Sequence, residues 1–184
     1  MKVVVTGAYG FIGSHFVNKL KELEPDCEIT IIDKLTYAAN KDNVKCDVKF
    51  IHEDIWDIDY LPDCDYIVHF AAETHVDNSI KDGRPFMRTN VEGTFNLVEL
   101  AKNLKKLKKF IHVSTDEVYS DRFINNHLVL ATEESTLHGS SYYSSSKIGS
   151  DMIVEAAGRT FGLPYIITRT CNNFGENQHP EKML

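Results

Sequence analysis

Apolar positions along the chain fall into two kinds of run that alternate. Six short runs are β-branched or continuously apolar: Met1 to Thr6, Glu28 to Ile32, Lys49 to His52, Asp65 to Phe70, Lys109 to Ser114 and Tyr165 to Thr168. Runs of this length and composition predict buried strands. Between them, apolar residues recur at helical spacing. Phe16, Val17, Leu20 and Leu23 form a stripe in a stretch beginning at Ser14, and Pro25-Asp26 ends it. Phe86, Val91, Leu97, Val98, Leu100, Ala101 and Leu104 give one face to a long helix from Pro85 to about Leu104. A second long helix is predicted from Tyr142 to Phe161, ended by Gly162-Leu-Pro164. Alternating strands and helices imply an α/β fold with a parallel sheet covered on both faces. Right-handed crossovers then give the doubly wound Rossmann arrangement, with any ligand beyond the C-terminal ends of the strands. The polar stretch from Ser120 to Ser141 is long for a connection, so it is either functional or holds structure that the pattern does not reveal.

Length and composition narrow the picture without changing it. The 184 residues suit a single domain over 1–184, with 42% apolar and 26% charged residues. A net charge of −7 argues against nucleic acid as a partner. The basic cluster from Lys102 to Lys109 reads as the solvated end of a helix. Cys27, Cys46, Cys64 and Cys171 are far apart and form no C-x-x-C pair. No secretory leader pattern opens the chain, so free thiols and a cytoplasmic location are expected. No apolar run approaches bilayer length, so no membrane association is expected. The eight histidines show no ligand spacing, so no metal is expected.

The first strand runs into Gly7-Ala-Tyr-Gly10-Phe-Ile-Gly13. A strand turning through glycines into a helix is the arrangement a dinucleotide site needs. Gly7 would make the turn, Gly10 would let backbone N–H groups approach a pyrophosphate, and Gly13 would let the helix pack closely on the strand. The spacing is G-x-x-G-x-x-G rather than G-x-G-x-x-G, and three glycines could also be a plain turn. Asp33, twenty residues after Gly13, stands where a carboxylate can accept both ribose hydroxyls of an adenosine and repel a 2′-phosphate. That favours NAD over NADP; the alternative is a carboxylate capping a strand end. Asp54, after the third strand, fits an adenine edge or an ordinary loop. His75 and Asp77 fit a site or a polar loop equally well.

Chemistry-bearing residues cluster after the later strands. Thr115-Asp116-Glu117 follows the fifth strand, Arg169 to Asn173 follows the sixth, and Tyr143 and Lys147 share a helix face at a spacing of four. An ammonium near a phenol, aided by a nicotinamide cation, is expected to lower its pKa from the usual value of about 10. Tyr143 then becomes a base for a hydroxyl proton while hydride leaves the carbon, and Lys147 would hold the nicotinamide ribose.

These segments together resemble the extended short-chain dehydrogenase/reductase family. TGAYGFIGS at the start and YYSSSK (Tyr142 to Lys147) carry the family match. DKLTYAAN (Asp33 to Asn40), HFAAETHVDNSI (His69 to Ile80), HVSTDEVY (His112 to Tyr119), ITRTCNNFG (Ile167 to Gly175) and the closing HPEKML are similar to the dTDP-glucose 4,6-dehydratases within it. The resemblance covers nearly the whole chain except about Asp121 to Leu137. It implies an NAD-dependent dehydration of a nucleoside-diphosphate glucose, dTDP-glucose above all, to the 4-keto-6-deoxy sugar. Tyr143 would take the C4 hydroxyl proton, Glu117 the C5 proton, and protonated Asp116 would donate to the departing C6 hydroxyl, with Thr115 and Lys147 completing the catalytic set.

The resemblance also implies binding roles. Phe11 and Ile12 would join the glycines on the pyrophosphate. Asp33, Lys34, Leu35 and Thr36, then Asp54 and Ile55, would take the adenosine. The segment Phe70, Ala71, Ala72, Glu73 and Thr74, with Thr89, Tyr143, Lys147 and Asn173, would contact NAD as well. Thr74, His75, Thr115, Asn172, Lys182 and Met183 would contact the sugar nucleotide. A homodimer built from the two long helices, Pro85 to Leu104 and Tyr142 to Phe161, as a four-helix contact is implied as well. The rival readings are a sugar-nucleotide 4-epimerase or decarboxylase, against which the acidic pair speaks, and a non-catalytic NAD-binding fragment.

Some positions depart from the pattern. Tyr9 puts bulk where small residues are common and is expected to crowd the pyrophosphate. Asn78 stands where arginine is frequent, and Ser120 replaces a usual glycine. Relatives continue for well over a hundred residues into a substrate domain. The chain is therefore expected to be the cofactor half, with an apolar edge exposed where that domain would sit.

Overall fold

The computed structural model describes residues 1–120, 123–124 and 127–180, so Lys182 and Met183 lie outside the described residues. Strands β1 (Lys2–Thr6), β2 (Glu28–Ile32), β3 (Lys49–Ile51), β4 (Tyr66–His69), β5 (Lys109–Thr115) and β8 (Tyr165–Thr170) form one six-stranded sheet. Its order is β3-β2-β1-β4-β5-β8 and every neighbouring pair is parallel. The order reverses between β1 and β4, which opens a crevice at the C-terminal ends of those strands, as in other doubly wound sheets.

Each face of the sheet has its own core. Val3, Val5, Ile29, Ile31 and Val68 point to one side and pack with Val17 of helix α1 (Phe11–Leu23). Val4, Ile32, Ile67 and Phe110 point to the other side and pack with Leu97, Val98 and Val154. The alternation along β1 to β4 separates the two cores, because successive strand side chains face opposite ways. The short helix α2 (Val76–Lys81) was not predicted; six residues with an exposed Ile80 leave little periodic signal. His75 caps it by accepting from the Asn78 N–H at 3.3 Å.

The helix expected from Pro85 to Leu104 starts and ends close to expectation but is not uniform. Helix α3 (Arg84–Phe86) runs into a π-helical stretch, Met87–Gly93, and then into α4 (Thr94–Ala101). The wider turn suits Gly93, where a Cβ would meet Ile55 Cδ1 at 2.7 Å. π-Turns inside helices recur at functional sites, and this one carries buried Thr89 and Asn90. Helix α5 (Tyr142–Phe161) begins on a capping box in which Ser141 and Ser144 satisfy each other's backbone N–H. It ends on Gly162 at φ +72°.

The long polar connection contains structure that its composition hid. A 3₁₀ turn (Asp116–Tyr119) follows β5, and β6 (Phe123–Ile124) pairs antiparallel with β7 (His127–Leu128). Two-residue strands are too short to show a period. Strand β8 forms the sheet edge, with Ile166 44% exposed. The four cysteines are free thiols. Among the described residues, no helix is long and apolar enough to cross a membrane, and no group of three His, Cys, Asp or Glu could hold a metal ion.

Candidate active site

A cavity of about 330 Å³ opens over the crevice between β1 and β4. Its floor is the glycine loop. Gly7 adopts φ +67°, and a Cβ there would stand 2.6 Å from the Ala71 backbone. A Cβ on Gly13 would stand 2.5 Å from the Gly7 carbonyl oxygen and 2.8 Å from Ala8 Cα. Only hydrogen fits at either place. Gly10 is the N-cap of α1 and offers no side-chain cap, so the first N–H groups of the helix face the cavity without a side-chain acceptor. Unfilled donors at the positive end of a helix, with Gly10, Phe11, Ile12 and Gly13 lining the space, fit a pyrophosphate.

Asp33 is 7% exposed at the end of β2. One of its oxygens accepts from the Tyr9 N–H at 3.0 Å and the other from the Leu35 N–H at 2.8 Å. These bonds aim the carboxylate and leave lone pairs for hydroxyl donors from the cavity. Two expectations fail beside it. Leu35, at φ +55°, turns its side chain to the core behind the loop and does not line the cavity. Tyr9 does not crowd the pyrophosphate: it is 5% exposed, packs edge-on against Phe50 at 5.1 Å, and belongs to the core on the far side of the loop. The loop's extended turn directs residue 9 away from the cavity, so bulk is tolerated there.

Lys34, Thr36, Asp54, Ile55, Phe70, Ala71, Ala72, Thr74 and Thr89 all line the cavity. Its far end is walled by Thr115, Glu117, Tyr143, Lys147, Asn172 and Asn173. His75 does not line it; the ring is used to cap α2. Asp116 does not line it directly but accepts hydrogen bonds from the Cys171 thiol, which does, and at 3.4 Å from the Thr115 hydroxyl. Glu73 and Cys171, inside the segments expected to matter, line the cavity too, whereas sequence reasoning missed Gln178 and His179. It also missed Asn90, which accepts from the Glu73 N–H at 2.8 Å and donates to the Glu73 carbonyl at 2.9 Å. A polar residue inside a helical stripe gives no sign of that bridge.

At the far end the protein's own groups act against the expected lowering of the Tyr143 pKa. Burial and the nearby Glu117 carboxylate push the Tyr143 phenol up to about 12, against a smaller downward effect of a hydrogen bond with Thr115. The Lys147 ammonium donates to the Val113 carbonyl at 2.9 Å. Lys147 is 3% exposed, and burial brings it down to about 8. Thr115 also caps the 3₁₀ turn by accepting from the Glu117 N–H at 3.2 Å. The Glu117 carboxylate, a phenol and an ammonium thus line one space, with Asp116 one hydrogen bond behind it through Cys171 and Thr115. Proton transfer at adjacent carbons of a bound molecule is within their reach.

Beneath this end lies a buried polar layer. His69 bonds Thr6 at 2.7 Å and Thr94 at 2.9 Å. His112 contacts Asp151 at 3.3 Å, and Arg169 donates to Asp151 at 2.9 Å and to the Tyr119 hydroxyl at 2.8 Å. Burial holds His112 down to about 4 and His69 well below its ordinary value.

The model of the NAD dependent epimerase/dehydratase family matches residues 3–184. The chain belongs to that family. It is 42% identical to the dTDP-glucose 4,6-dehydratase of Haemophilus influenzae over 100% of this chain and 59% of the relative. It is equally, 42%, identical to a trifunctional UDP-glucose 4,6-dehydratase/UDP-4-keto-6-deoxy-D-glucose 3,5-epimerase/UDP-4-keto-L-rhamnose-reductase of Arabidopsis thaliana, over 99% of this chain and 29% of the relative. Among solved structures, the dTDP-glucose 4,6-dehydratase DesIV of Streptomyces venezuelae, with NAD and TYD bound, superposes with a TM-score of 0.89 at 44% identity. That match covers 99% of this chain and 59% of DesIV. The chain therefore spans well under two thirds of the dehydratases it matches.

Proposed function

We propose that the protein of which this chain is the cofactor half converts a nucleoside-diphosphate glucose, dTDP-glucose first, to its 4-keto-6-deoxy form. The observation that carries the reading is the Asp116-Glu117 pair on one capped turn, beside Tyr143 and Lys147 at the end of the cavity opposite the glycine loop. The similarity to dehydratases that name both dTDP-glucose and UDP-glucose supports the reaction class. A 4-epimerase needs the tyrosine but has no use for an acid and a base side by side.

The glycine loop, the uncapped N-terminus of α1 and Asp33 would hold NAD, with Asp54 and Ile55 at the adenine and Lys147 and Asn173 at the nicotinamide ribose. Bound NAD would accept hydride from C4 and return it to C6. Tyr143 takes the C4 hydroxyl proton; since the protein raises its pKa, the positive nicotinamide is the charge that makes the phenolate accessible. The C4 ketone acidifies the C5 proton; Glu117 removes it and gives a proton back to C5 when C6 has been reduced. Asp116 donates a proton to the C6 hydroxyl, which leaves as water. Thr74, Thr115 and Asn172 position the sugar. The two long helices form the face for a homodimer, and the cell compartment is the cytoplasm.

The test is to incubate the protein with dTDP-glucose and UDP-glucose and look for the 4-keto-6-deoxy product by NMR. A galactose-configured product in its place overturns the reading. Glu117→Gln should abolish solvent exchange at C5 while NADH still forms on the enzyme. If NADH formation is lost as well, Glu117 is a binding residue.

A further inference from the structure

Lys34 immediately follows Asp33, where a cation would ordinarily strengthen the hold on a phosphorylated ribose. Its side chain is instead fully engaged. The ammonium donates to Thr89 Oγ1 at 3.0 Å and lies 3.3 Å from Asp54 Oδ2 and 3.4 Å from Glu73 Oε1. The ammonium thus has one hydrogen bond and two ion-pair partners within 3.4 Å. All four residues line the cavity, and the lysine and both carboxylates are at least two-thirds buried, so the ion pairs are shielded from bulk screening. The backbone of Glu73 is held in place. Asn90 clamps its backbone N–H and carbonyl at 2.8 and 2.9 Å, and Asn90 is tied in turn to Ser146 of α5 at 2.9 Å. Asp33, Glu53, Asp54 and Glu73 against one ammonium leave this wall net negative.

We propose that Glu73 and Asp54 withhold Lys34 from the cofactor, so that selection of a dinucleotide with a free 2′-hydroxyl over a 2′-phosphorylated one is made by this sequestered lysine together with Asp33. Asp33 rejects the phosphate by repulsion; Glu73 removes the side chain that would compensate. The inference rests on the reading of the cavity as a nicotinamide-dinucleotide site. It adds a selectivity residue, Glu73, that lies outside the glycine motif and is placed by the π-helical turn.

The experiment is calorimetric titration of the 184-residue chain with NADH and with NADPH, for the native sequence, Glu73→Gln and Glu73→Gln/Lys34→Met. The native chain should prefer NADH. Glu73→Gln should tighten NADPH roughly tenfold, the scale expected for removing one nearby like charge in a partly screened site, and leave NADH within about twofold. Adding Lys34→Met should cancel the gain. An unchanged NADH-to-NADPH ratio in Glu73→Gln overturns the proposal, as does a gain that survives Lys34→Met. Loss of NADH binding in Glu73→Gln also overturns it, by making Glu73 a direct cofactor ligand. If the native chain binds neither dinucleotide, the reading of the cavity falls first and the proposal with it.

Discussion

The two ends of the cavity are built on opposite principles. At the β1–α1 end the working groups are backbone N–H donors, and the side chains matter by being absent: hydrogen alone fits at Gly7 and Gly13. At the far end the working groups are the side chains of Glu117, Tyr143 and Lys147, whose behaviour depends on what surrounds them. A backbone cradle tolerates no added atom but is indifferent to the chemistry of its neighbours. A side-chain cluster tolerates small changes of shape but is sensitive to burial and charge. The first end should therefore break sterically and the second electrostatically.

The largest effect should come from the cradle. Gly13→Val sets a branched side chain against the backbone of Gly7 and Ala8, where neither can yield. We expect a stability loss of about 3 kcal/mol and complete loss of NADH binding, measured by thermal melting and titration. Gly13→Val that binds NADH normally would show that close packing of α1 is not what shapes this end.

Acid should act on the other end. His112 is held neutral down to about 4 and His69 well below its ordinary value, whereas both would take up protons near 6.5 once unfolded. The unfolded chain therefore binds more protons between those values, so stability falls as pH drops from about 6.5 toward 4. For His112 alone the loss between pH 8 and pH 5 is about 2 kcal/mol. Melting temperatures across that range check it, and a flat profile would mean that the buried layer takes up protons without unfolding.

A smaller change tests the turn that carries the acidic pair. Ser120 ends it at φ 51° and ψ 176°, a conformation that glycine adopts far more readily. Ser120→Gly should gain about 1 kcal/mol in denaturant unfolding, net of the added chain entropy. The smallest effect is expected at Tyr9. Its ring packs on Phe50 away from the cavity, so Tyr9→Phe should leave NADH affinity unchanged and stability within about 0.5 kcal/mol. A large loss of affinity would return Tyr9 to the pyrophosphate.

Much of this was legible in the residues. The six main strands, the glycine loop, Asp33 and the Tyr143–Lys147 pair are set by local patterns: short apolar runs, a missing Cβ, a spacing of four on a helix. These follow from the geometry of a few consecutive residues and need no distant partner. The hairpin β6–β7, the helix α2 and the π-turn were not legible, because two to seven residues are too few to establish a period.

The sequence by itself determined the doubly wound α/β fold and which side chains are available to the site. The tertiary structure alone decided how those side chains behave. Whether Tyr143 titrates above or below 10 depends on burial and on Glu117, contributed by another element 26 positions earlier in the chain. Whether Lys34 is free depends on Asp54, Glu73 and Thr89, which come from three separate elements. Tyr9 was placed by the path of its loop and not by its size. Local pattern fixes backbone conformation because hydrogen bonds and sterics act over a few residues. Charge state and orientation are set by neighbours in space, and the chain brings those together only when it folds.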